Sequence, residues 1–229
     1  MTMQVEKNFS GTDHAQMQAG LVVIDPQAGL YRNHFKRVFD LAIASLIGTV
    51  ALPVTLLLAI LLLLCGTQPF YASDRVGMFG RTFRMYKLRT MVDDADQRLE
   101  TYLSSNAAAR AEWNETQKLK RDPRVTWLGK WLRKTSLDEL PQIWNVFKGD
   151  MSLVGPRPMM PSQRSMYHGD AYYGVRPGVT GIWQISDRNE SAFEKRAELD
   201  AVYDAQLSLS VDIAILVRTV GTVARGTGY

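Results

Sequence analysis

Two carboxylates stand side by side in the stretch TSLDELPQIWNVFKGDMSLVGPRP, which covers residues 135–158: Asp138 and Glu139. Adjacent carboxylates of this kind can provide oxygen ligands for a hard divalent cation such as Mg²⁺. They can equally be the acidic first turn of an ordinary helix, where negative charge suits the positive end of the helix dipole. The neighbouring residues must show whether the pair takes part in chemistry or only begins a helix.

The structural interpretation has good support in the neighbouring residues. Ser136 and Glu139 have the spacing of a capping box, and apolar residues then recur at helical spacing over about 138–148. Pro141 fits better if Asp138 is the cap, because a proline is tolerated inside the first turn. The local sequence therefore favours capping, and a functional role for the pair needs support from the rest of the chain.

Several cations lie in loops that are framed by Gly, Pro or polar residues. Each alone is most simply a solvated or structural charge, but together they suit a polyphosphate, since rigid loops hold forked guanidinium groups at fixed angles around an anion. No Walker-type or dinucleotide fingerprint is present. The candidates are Lys87 and Arg89 in YKLRTM, Arg157 in GPRP, Arg176 in VRPGVTG and Arg188 in SDRNE.

The composition narrows the class of partner and metal. Lys and Arg number 27 against 23 Asp and Glu, and the sequence pI is near 9.2. This mild excess suits an anionic surface or a phosphorylated substrate, but by itself it does not indicate nucleic acid. The single cysteine, Cys65, fits a reducing compartment, and three scattered histidines form no His/Cys metal site.

An uncharged apolar segment of 24 residues occupies positions 41–64. As a straight helix it would measure roughly 36 Å, enough to cross a membrane. Pro53 lies at its middle, and a bend there would return the chain to its starting face, with freed carbonyls satisfied by Thr49 or Thr55. Spanning and re-entrant topologies stay equally open on these grounds, although basic residues flank both sides: Arg32, Lys36 and Arg37 before the segment, then Arg75, Arg81, Arg84, Lys87 and Arg89 after it.

The chain divides into three parts. We predict a mobile polar tail over 1–30 that is not a signal peptide, an apolar hairpin over 31–70, and a compact domain over 71–229. The predicted fold class is α+β and mostly helical. Within the domain we expect a strand at 81–91, two short helices in 93–120, a turn and helix over 122–134, a strand at 179–186, a helix over 191–209 and an apolar interfacial helix in 207–226.

A family resemblance rests on motifs that follow one another in order over roughly 35–225. They are FKRVFD, YKLRTM, DPRVTWLGKWLRKTSLDELPQIWNVFKGDMSLVGPRP, VRPGVTGIWQISDRN and ELDAVY. In this order and spacing the sequence resembles the bacterial sugar transferases, the monotopic polyprenyl-phosphate phosphoglycosyl transferases. It is most similar to the short, exopolysaccharide-initiating ExoY-like members. The resemblance implies a re-entrant helix broken at Pro53 and a catalytic domain on the cytosolic face of the bacterial inner membrane.

The resemblance also implies a mechanism for the acidic pair. Asp138 would attack the β-phosphate of a UDP-sugar, release UMP and form an aspartyl-phosphosugar intermediate, from which the sugar phosphate passes to polyprenyl phosphate. Glu139, with Asp138, would help to hold Mg²⁺. Family positions also imply substrate-binding roles for Lys87, Arg133, Arg157, Arg188 and Asp212. Arg89 and Arg176 are added as substrate-binding candidates from the loop motifs above. The family has Ser-Pro where this chain has Leu52-Pro53, and many members have glycine where Asp187 stands.

The expected partners follow from the same resemblance. They are the UDP-sugar donor, the polyprenyl phosphate acceptor, membrane lipid, downstream glycosyltransferases and a second copy in a homodimer, with no nucleic acid. The competing hypothesis from another class is a non-catalytic, membrane-anchored scaffold for polysaccharide assembly. The intact dyad and its basic set count against that alternative.

Overall fold

A computed structural model describes residues 29–116, 119, 121–186 and 195–224. The helices are α1 (Lys36–Leu64), α2 (Ala95–Ser105), α3 (Ala107–Thr116), α4 (Trp127–Lys134), α5 (Gln142–Lys148), α6 (Ile182–Ile185), α7 (Lys195–Gln206) and α8 (Leu209–Ala224). The strands form two small sheets, β1 (Phe70–Val76) with β2 (Thr82–Leu88) and β3 (Ser152–Val154) with β4 (Gly178–Thr180). The predicted mostly helical fold with a few strands is confirmed.

One helix in the described part of the chain, Tyr31–Leu64, is long and apolar enough to cross a membrane by its length and composition. It opens with a π-helical turn, Tyr31–Phe35, and continues as α1. One stripe of α1 is buried in the protein, while the remaining faces expose leucine, isoleucine and valine. The buried stripe consists of Lys36, Asp40, Ala44, Ala51, Thr55, Leu58, Ala59 and Leu62.

The predicted break at Pro53 does not appear as a turn between two helices. Helix α1 continues through Pro53, so any bend there is a bend within one helix. The Thr49 hydroxyl donates to the carbonyl of Leu46 at 2.7 Å, within the preceding turn. Proline removes one backbone hydrogen bond, and the packing of the stripe on both sides of Pro53 holds the helix together across that gap.

Both ends of α1 contact the rest of the protein. At the first end, Tyr31 and Lys36 each donate to Asp212 of α8 at 2.7 Å. At the far end, Leu58 and Leu62 pack in a buried cluster with Leu88, Leu128 and Leu132. The helix therefore lies against one folded body at its beginning and at its end.

The first sheet is an antiparallel hairpin. Its register pairs Tyr71 with Lys87 and Arg75 with Phe83. Paired residues share a face of the sheet, so odd-numbered side chains from both strands point the same way. The sequence predicted β2 as part of 81–91, but it did not predict β1.

The second sheet is a short parallel pair closed by glycines. A Cβ atom on Gly178 would lie 2.1 Å from the backbone nitrogen of Gly155. The two backbone segments therefore approach too closely for any residue other than glycine at this position. The strand predicted at 179–186 is wrong beyond Thr180, because the chain turns at Gly181 into the helical turn α6. The Gly181 position allows no Cβ either, which would lie 2.1 Å from the carbonyl of Gly155.

The other helices follow the sequence pattern closely. Two short helices, α2 and α3, occupy the segment predicted for them, and α4 begins after Thr126, whose hydroxyl accepts from the Gly129 N–H at 2.9 Å. The predicted helix over 191–209 is described from Lys195 and ends at Gln206; its first four predicted positions lie outside the described residues. The tail predicted over 1–30 lies outside them except for its last two residues, which are helical.

Candidate active site

The acidic pair lies on a single 3-10 turn, Leu137–Glu139, between α4 and α5. Ser136, just before the turn, has φ 56° and makes no side-chain capping bond. Helix α5 begins only at Gln142, so the capping interpretation is wrong for both Ser136 and Asp138. A non-glycine residue held in the left-handed region is strained, and such strain clusters at functional sites.

Lys87 from β2 lies between the two carboxylates. Its Nζ is 2.6 Å from Oε1 of Glu139 and 3.7 Å from Oδ2 of Asp138. The Asp138 side chain is only 9% exposed, against 25% for Glu139. The dyad is thus a buried carboxylate and a more accessible one, held by a shared ammonium group.

The charge of Asp138 is set by two opposing effects. Burial raises the pKa of Asp138 above the usual range of an aspartate, and the neighbouring Glu139 carboxylate raises it further. The positive charges of Lys87, Arg133 and Arg157 act in the other direction. A carboxylate that is poorly hydrated and surrounded by cations is suited to react with an anionic phosphate, because the cations offset the repulsion between the two groups.

Arg133 reaches the site from the last turn of α4. Its Nε donates to Oγ1 of Thr90 at 2.9 Å, which fixes the guanidinium beside the turn that follows β2. The close approach depends on Gly129, where a Cβ would lie 2.1 Å from the carbonyl of Thr90. Burial lowers the pKa of Arg133, and the negative charge of Asp138 opposes that shift.

Arg157 enters from the turn after β3, and the glycine contacts between β3 and β4 fix the start of that turn. The N–H of Gly178 donates to the carbonyl of Pro156 at 2.8 Å. Within the described residues Arg157 makes no hydrogen bond or ion pair, although its charge acts on Asp138. Its guanidinium is therefore available to an anion.

Arg89 lies at the edge of the site. It forms an ion pair with Asp93, and its guanidinium lies 6.0 Å from the centre of the Tyr71 ring. Lys87 pairs with Tyr71 across the hairpin, so Arg89 lies near Lys87, the residue that contacts the dyad. Its present partner would have to be exchanged for it to bind a ligand directly.

The structure places Arg176 away from the dyad. Its Nε donates to the carbonyl of Gly149 at 2.9 Å, at the opposite end of α5. Arg37 donates to the carbonyls of Val146 and Phe147 at 2.7 and 3.2 Å beside it. Both guanidiniums thus satisfy the last carbonyls of α5 and complement the negative end of its dipole.

Asp212 is fully buried in a separate network. It accepts hydrogen bonds from Tyr31, Lys36 and Tyr203 at 2.7, 2.7 and 2.8 Å. The single proton of the Tyr203 hydroxyl has a second acceptor within reach, the carbonyl of Val154 at 3.0 Å. In this position Asp212 joins α1, α7, α8 and β3. Arg188 and Asp187 lie outside the described residues.

Three polar groups near the site were missed by the sequence analysis. Thr90 orients Arg133, while Ser73 and Arg75 share the face of the hairpin that carries Lys87. The period-two alternation of β1 could have indicated the last two, had β1 been predicted. Among the described residues no group of three or more His, Cys, Asp or Glu side chains could hold a metal ion, so the dyad would need further oxygen ligands from a substrate.

The structure combines a long apolar helix that fits a membrane anchor with an aspartate surrounded by cations. The sequence comparisons identify the class of protein. The chain belongs to the bacterial sugar transferase family, whose sequence profile matches residues 31–226. This confirms the resemblance drawn from the motifs.

Relatives of two lengths are similar to the chain. It is 44% identical over 224 residues to the UDP-galactose-lipid carrier transferase of Erwinia amylovora, covering 95% of this chain and 47% of that protein. It is 43% identical over 195 residues to the undecaprenyl-phosphate galactose phosphotransferase of Salmonella typhimurium, covering 84% and 41%. The exopolysaccharide production protein ExoY of Rhizobium meliloti is 41% identical over 196 residues, covering 84% and 87%. The chain therefore spans about half the length of the first two relatives and most of ExoY.

Proposed function

We propose that this protein transfers a sugar 1-phosphate from a UDP-sugar to polyprenyl phosphate and releases UMP. Family membership and the names of the relatives support transfer of a sugar phosphate to a lipid carrier. The observation that carries the proposal is the arrangement of the dyad: a buried Asp138 with Lys87 at 3.7 Å and Arg133 and Arg157 close enough to stabilise its charge. No such set of cations is needed around a carboxylate that only starts a helix.

The first half-reaction starts from Asp138 as the carboxylate. Its oxygen attacks the β-phosphorus of the donor, the bond from that phosphorus to the bridging oxygen breaks, and UMP leaves with the electron pair. The product is a mixed anhydride between Asp138 and the sugar phosphate, which is itself a good phosphoryl donor. Lys87 and Arg157 offset the charge that develops on the transferred phosphate.

The second half-reaction repeats the displacement with the lipid. An oxygen of polyprenyl phosphate attacks the same phosphorus, the bond to the Asp138 carboxyl oxygen breaks, and the carboxylate is regenerated. The product is a polyprenyl-diphosphate sugar. Lys87, at 2.6 Å from Glu139, holds that second carboxylate in place throughout.

Mg²⁺ fits the dyad as a proposed cofactor. Mg²⁺ is commonly bound by one or two carboxylates together with substrate phosphates, and Glu139 with Asp138 supplies two. When bound there, Mg²⁺ would neutralise charge on the donor diphosphate. Glu139 is the more exposed of the two and is the principal candidate ligand, while Asp138 faces the cations.

The contacts of α1 support a re-entrant or interfacial position of that helix. Tyr31 and Lys36 at one end and Leu58 and Leu62 at the other all contact the same folded domain. A helix with both ends on one domain places both ends on one side of a membrane, and its exposed apolar faces meet lipid. We infer that this side is the cytosolic one, because both basic flanks then follow the positive-inside tendency.

A trapping experiment tests the proposed function. Purified full-length protein is incubated with UDP-sugars labelled in the β-phosphate, with Mg²⁺ and without lipid acceptor, and rapidly quenched. We expect label on the protein and one equivalent of UMP, and we expect polyprenyl phosphate to remove the label. A protein that turns over with its true donor but never carries label would contradict the covalent step.

A further inference from the structure

An unassigned pair of polar side chains lies on the face of the hairpin that carries Lys87. In the antiparallel register Ser73 is opposite Met85 and Arg75 is opposite Phe83, so both point to the same side as Lys87. The Ser73 Oγ and the Arg75 Nε are buried, and neither has a hydrogen-bond partner among the described residues. A buried donor without a partner costs about 1–3 kcal/mol, more when it is charged.

The loop that carries Arg157 is attached to the end of the same strand. The Val76 N–H donates to the carbonyl of Met159 at 3.0 Å, and the Met159 N–H donates to the Tyr172 hydroxyl at 3.2 Å. Tyr172 in turn donates to the carbonyl of Val76. These bonds fix Arg157, two residues before Met159, beside Arg75.

The two guanidiniums repel each other. Burial lowers the pKa of Arg75, and the charge of Arg157 lowers it further. Neither arginine forms an ion pair or a hydrogen bond within the part of the chain that the structure describes. Two adjacent cations and a buried hydroxyl, all lacking an acceptor, are the donor set that a phosphate group requires.

We propose that Ser73, Arg75 and Arg157 form one oxyanion site for the phosphate monoester opposite Asp138, shared by UMP and polyprenyl phosphate. This rests on the proposed function. Arg157 lies close to both Asp138 and the hairpin face that carries Arg75, since its charge acts on both residues.

The chemistry of the reaction explains why one site serves both ligands. Run in reverse, the first half-reaction has an oxygen of the UMP phosphate attack the aspartyl phosphate. The second half-reaction has an oxygen of the lipid phosphate attack the same phosphorus. In both, one oxygen–phosphorus bond forms and the bond to Asp138 breaks. A dianionic phosphate monoester and the monoanionic acyl phosphate become a dianionic diphosphate and a carboxylate. No proton is required in either direction.

A binding measurement on the full-length protein tests the site without turnover. The probes are UMP and uridine, which differ only in the phosphate, and the readout is the melting temperature in detergent. We expect UMP but not uridine to stabilise the wild type, and Arg75→Met to weaken UMP binding about tenfold or more. The ligand-free melting temperature of Arg75→Met should equal or exceed that of the wild type, because an unpartnered buried cation is gone. An undiminished UMP shift in this variant would overturn the proposal.

Two further variants keep the result interpretable. Arg84→Met is the matched control, since Arg84 lies on the opposite face of the same hairpin with a side chain that is 63% exposed; it should bind UMP normally. Ser73→Ala removes only the hydroxyl and should weaken UMP binding by a smaller factor, which matters if Arg75→Met does not fold. Normal UMP binding by a folded Ser73→Ala protein would remove Ser73 from the site.

Measuring the two half-reactions separately shows whether the site serves UMP, polyprenyl phosphate or both. Arg75→Met should slow both UMP release in a single turnover and the transfer of trapped sugar phosphate to polyprenyl phosphate. A loss confined to one of the two steps would overturn the shared site. A wild-type protein that binds UMP through Arg75 but forms no sugar-phosphate product would contradict the proposed function and support the anion site.

Discussion

Ser152 donates a 2.6 Å hydrogen bond to Asp40, and this bond ties the strand before the Gly-Pro-Arg-Pro turn to the long apolar helix. The other oxygen of Asp40 accepts from the Leu153 N–H at 3.1 Å. Asp40 is 1% exposed and Ser152 is equally buried. The helix that would contact lipid therefore also positions the loop that carries Arg157.

Removing the Asp40 carboxylate should cost both stability and activity. Asp40→Ala leaves the Leu153 N–H and the Ser152 hydroxyl without their acceptor in the protein interior, and we expect a loss of about 2–4 kcal/mol. Ser152→Ala should cost less, about 1 kcal/mol, because the Leu153 bond survives. Melting curves of both variants and of the double variant measure the coupling. Fully additive losses would show that the bond contributes nothing beyond its separate groups.

Replacing the nucleophile should separate chemistry from folding. Asp138→Asn preserves shape but cannot form the acyl phosphate, so we expect turnover to fall by at least about a thousandfold with an unchanged or higher melting temperature. Asp94→Asn, at an exposed carboxylate that pairs with Arg98 in α2, is the control for loss of charge and should remain active. Normal activity in Asp138→Asn would restore a purely structural role for this residue.

Two arginines that the sequence assigned to one ligand should behave differently. Arg157→Lys loses a forked guanidinium at the site, so we expect weaker UMP binding with an unchanged melting temperature. Arg176→Gln loses a bond to the end of α5, so we expect a stability loss of about 1 kcal/mol and unchanged UMP affinity. Titration with UMP and thermal melting of both variants distinguish the two roles. A loss of UMP affinity in Arg176→Gln would place that residue back at the ligand.

The topology of α1 can be tested with its own cysteine removed. In a Cys65→Ser background, Asn33→Cys and Asp74→Cys place exposed thiols before and after the helix. We expect an impermeant maleimide to label neither from outside intact cells and both in inverted vesicles, since both ends of the helix contact one domain. Labelling of Asn33→Cys from outside, with Asp74→Cys protected, would mean that the helix spans the membrane.

The pH dependence of stability should carry a signature of Asp200. Burial raises the pKa of Asp200 to about 7, although the nearby Arg196 and the hydrogen bond from Tyr167 oppose the shift. Folding therefore favours the protonated form of Asp200. The stability that this proton contributes is fully present below about pH 4, where the unfolded chain is also protonated, and it is lost as the pH rises to 7. We expect stability to fall over that range by up to about 1.4 kcal/mol per pH unit. Asp200→Asn should flatten this part of the curve, and an identical slope in both proteins would show that Asp200 does not titrate there.

The sequence predicted most of the helices, because their apolar periodicity and end signals are local. It missed β1 and overextended the strand beyond Thr180, where the decisive contact is between the backbones of Gly155 and Gly181, 26 positions apart in the chain. Local spacing also suggested a cap at Ser136, but the left-handed conformation of that residue places the acidic pair on its own turn.

For the site residues too, the sequence indicated candidate charged residues but not the distant contacts that they make. The structure places Asp138, Glu139, Lys87, Arg133 and Arg157 near one another, and their roles at a site stay predictions. The motifs could not show that Arg176 satisfies the carbonyl of Gly149 or that Asp212 accepts from Tyr31, because a charged side chain in a motif can serve a helix end or a buried network equally well.

The buried stripe of α1 has a consequence for how this protein can be handled. Lys36, Asp40 and Ala44 belong to the interior of the catalytic domain as fully as its own side chains do. Cutting the chain after α1 would leave Asp212 without two of its hydrogen-bond donors and the Leu153 N–H without its acceptor. The apolar helix is consequently no exchangeable tether: a soluble fragment that starts at β1 would lack part of its own core, and a foreign anchor could not replace it.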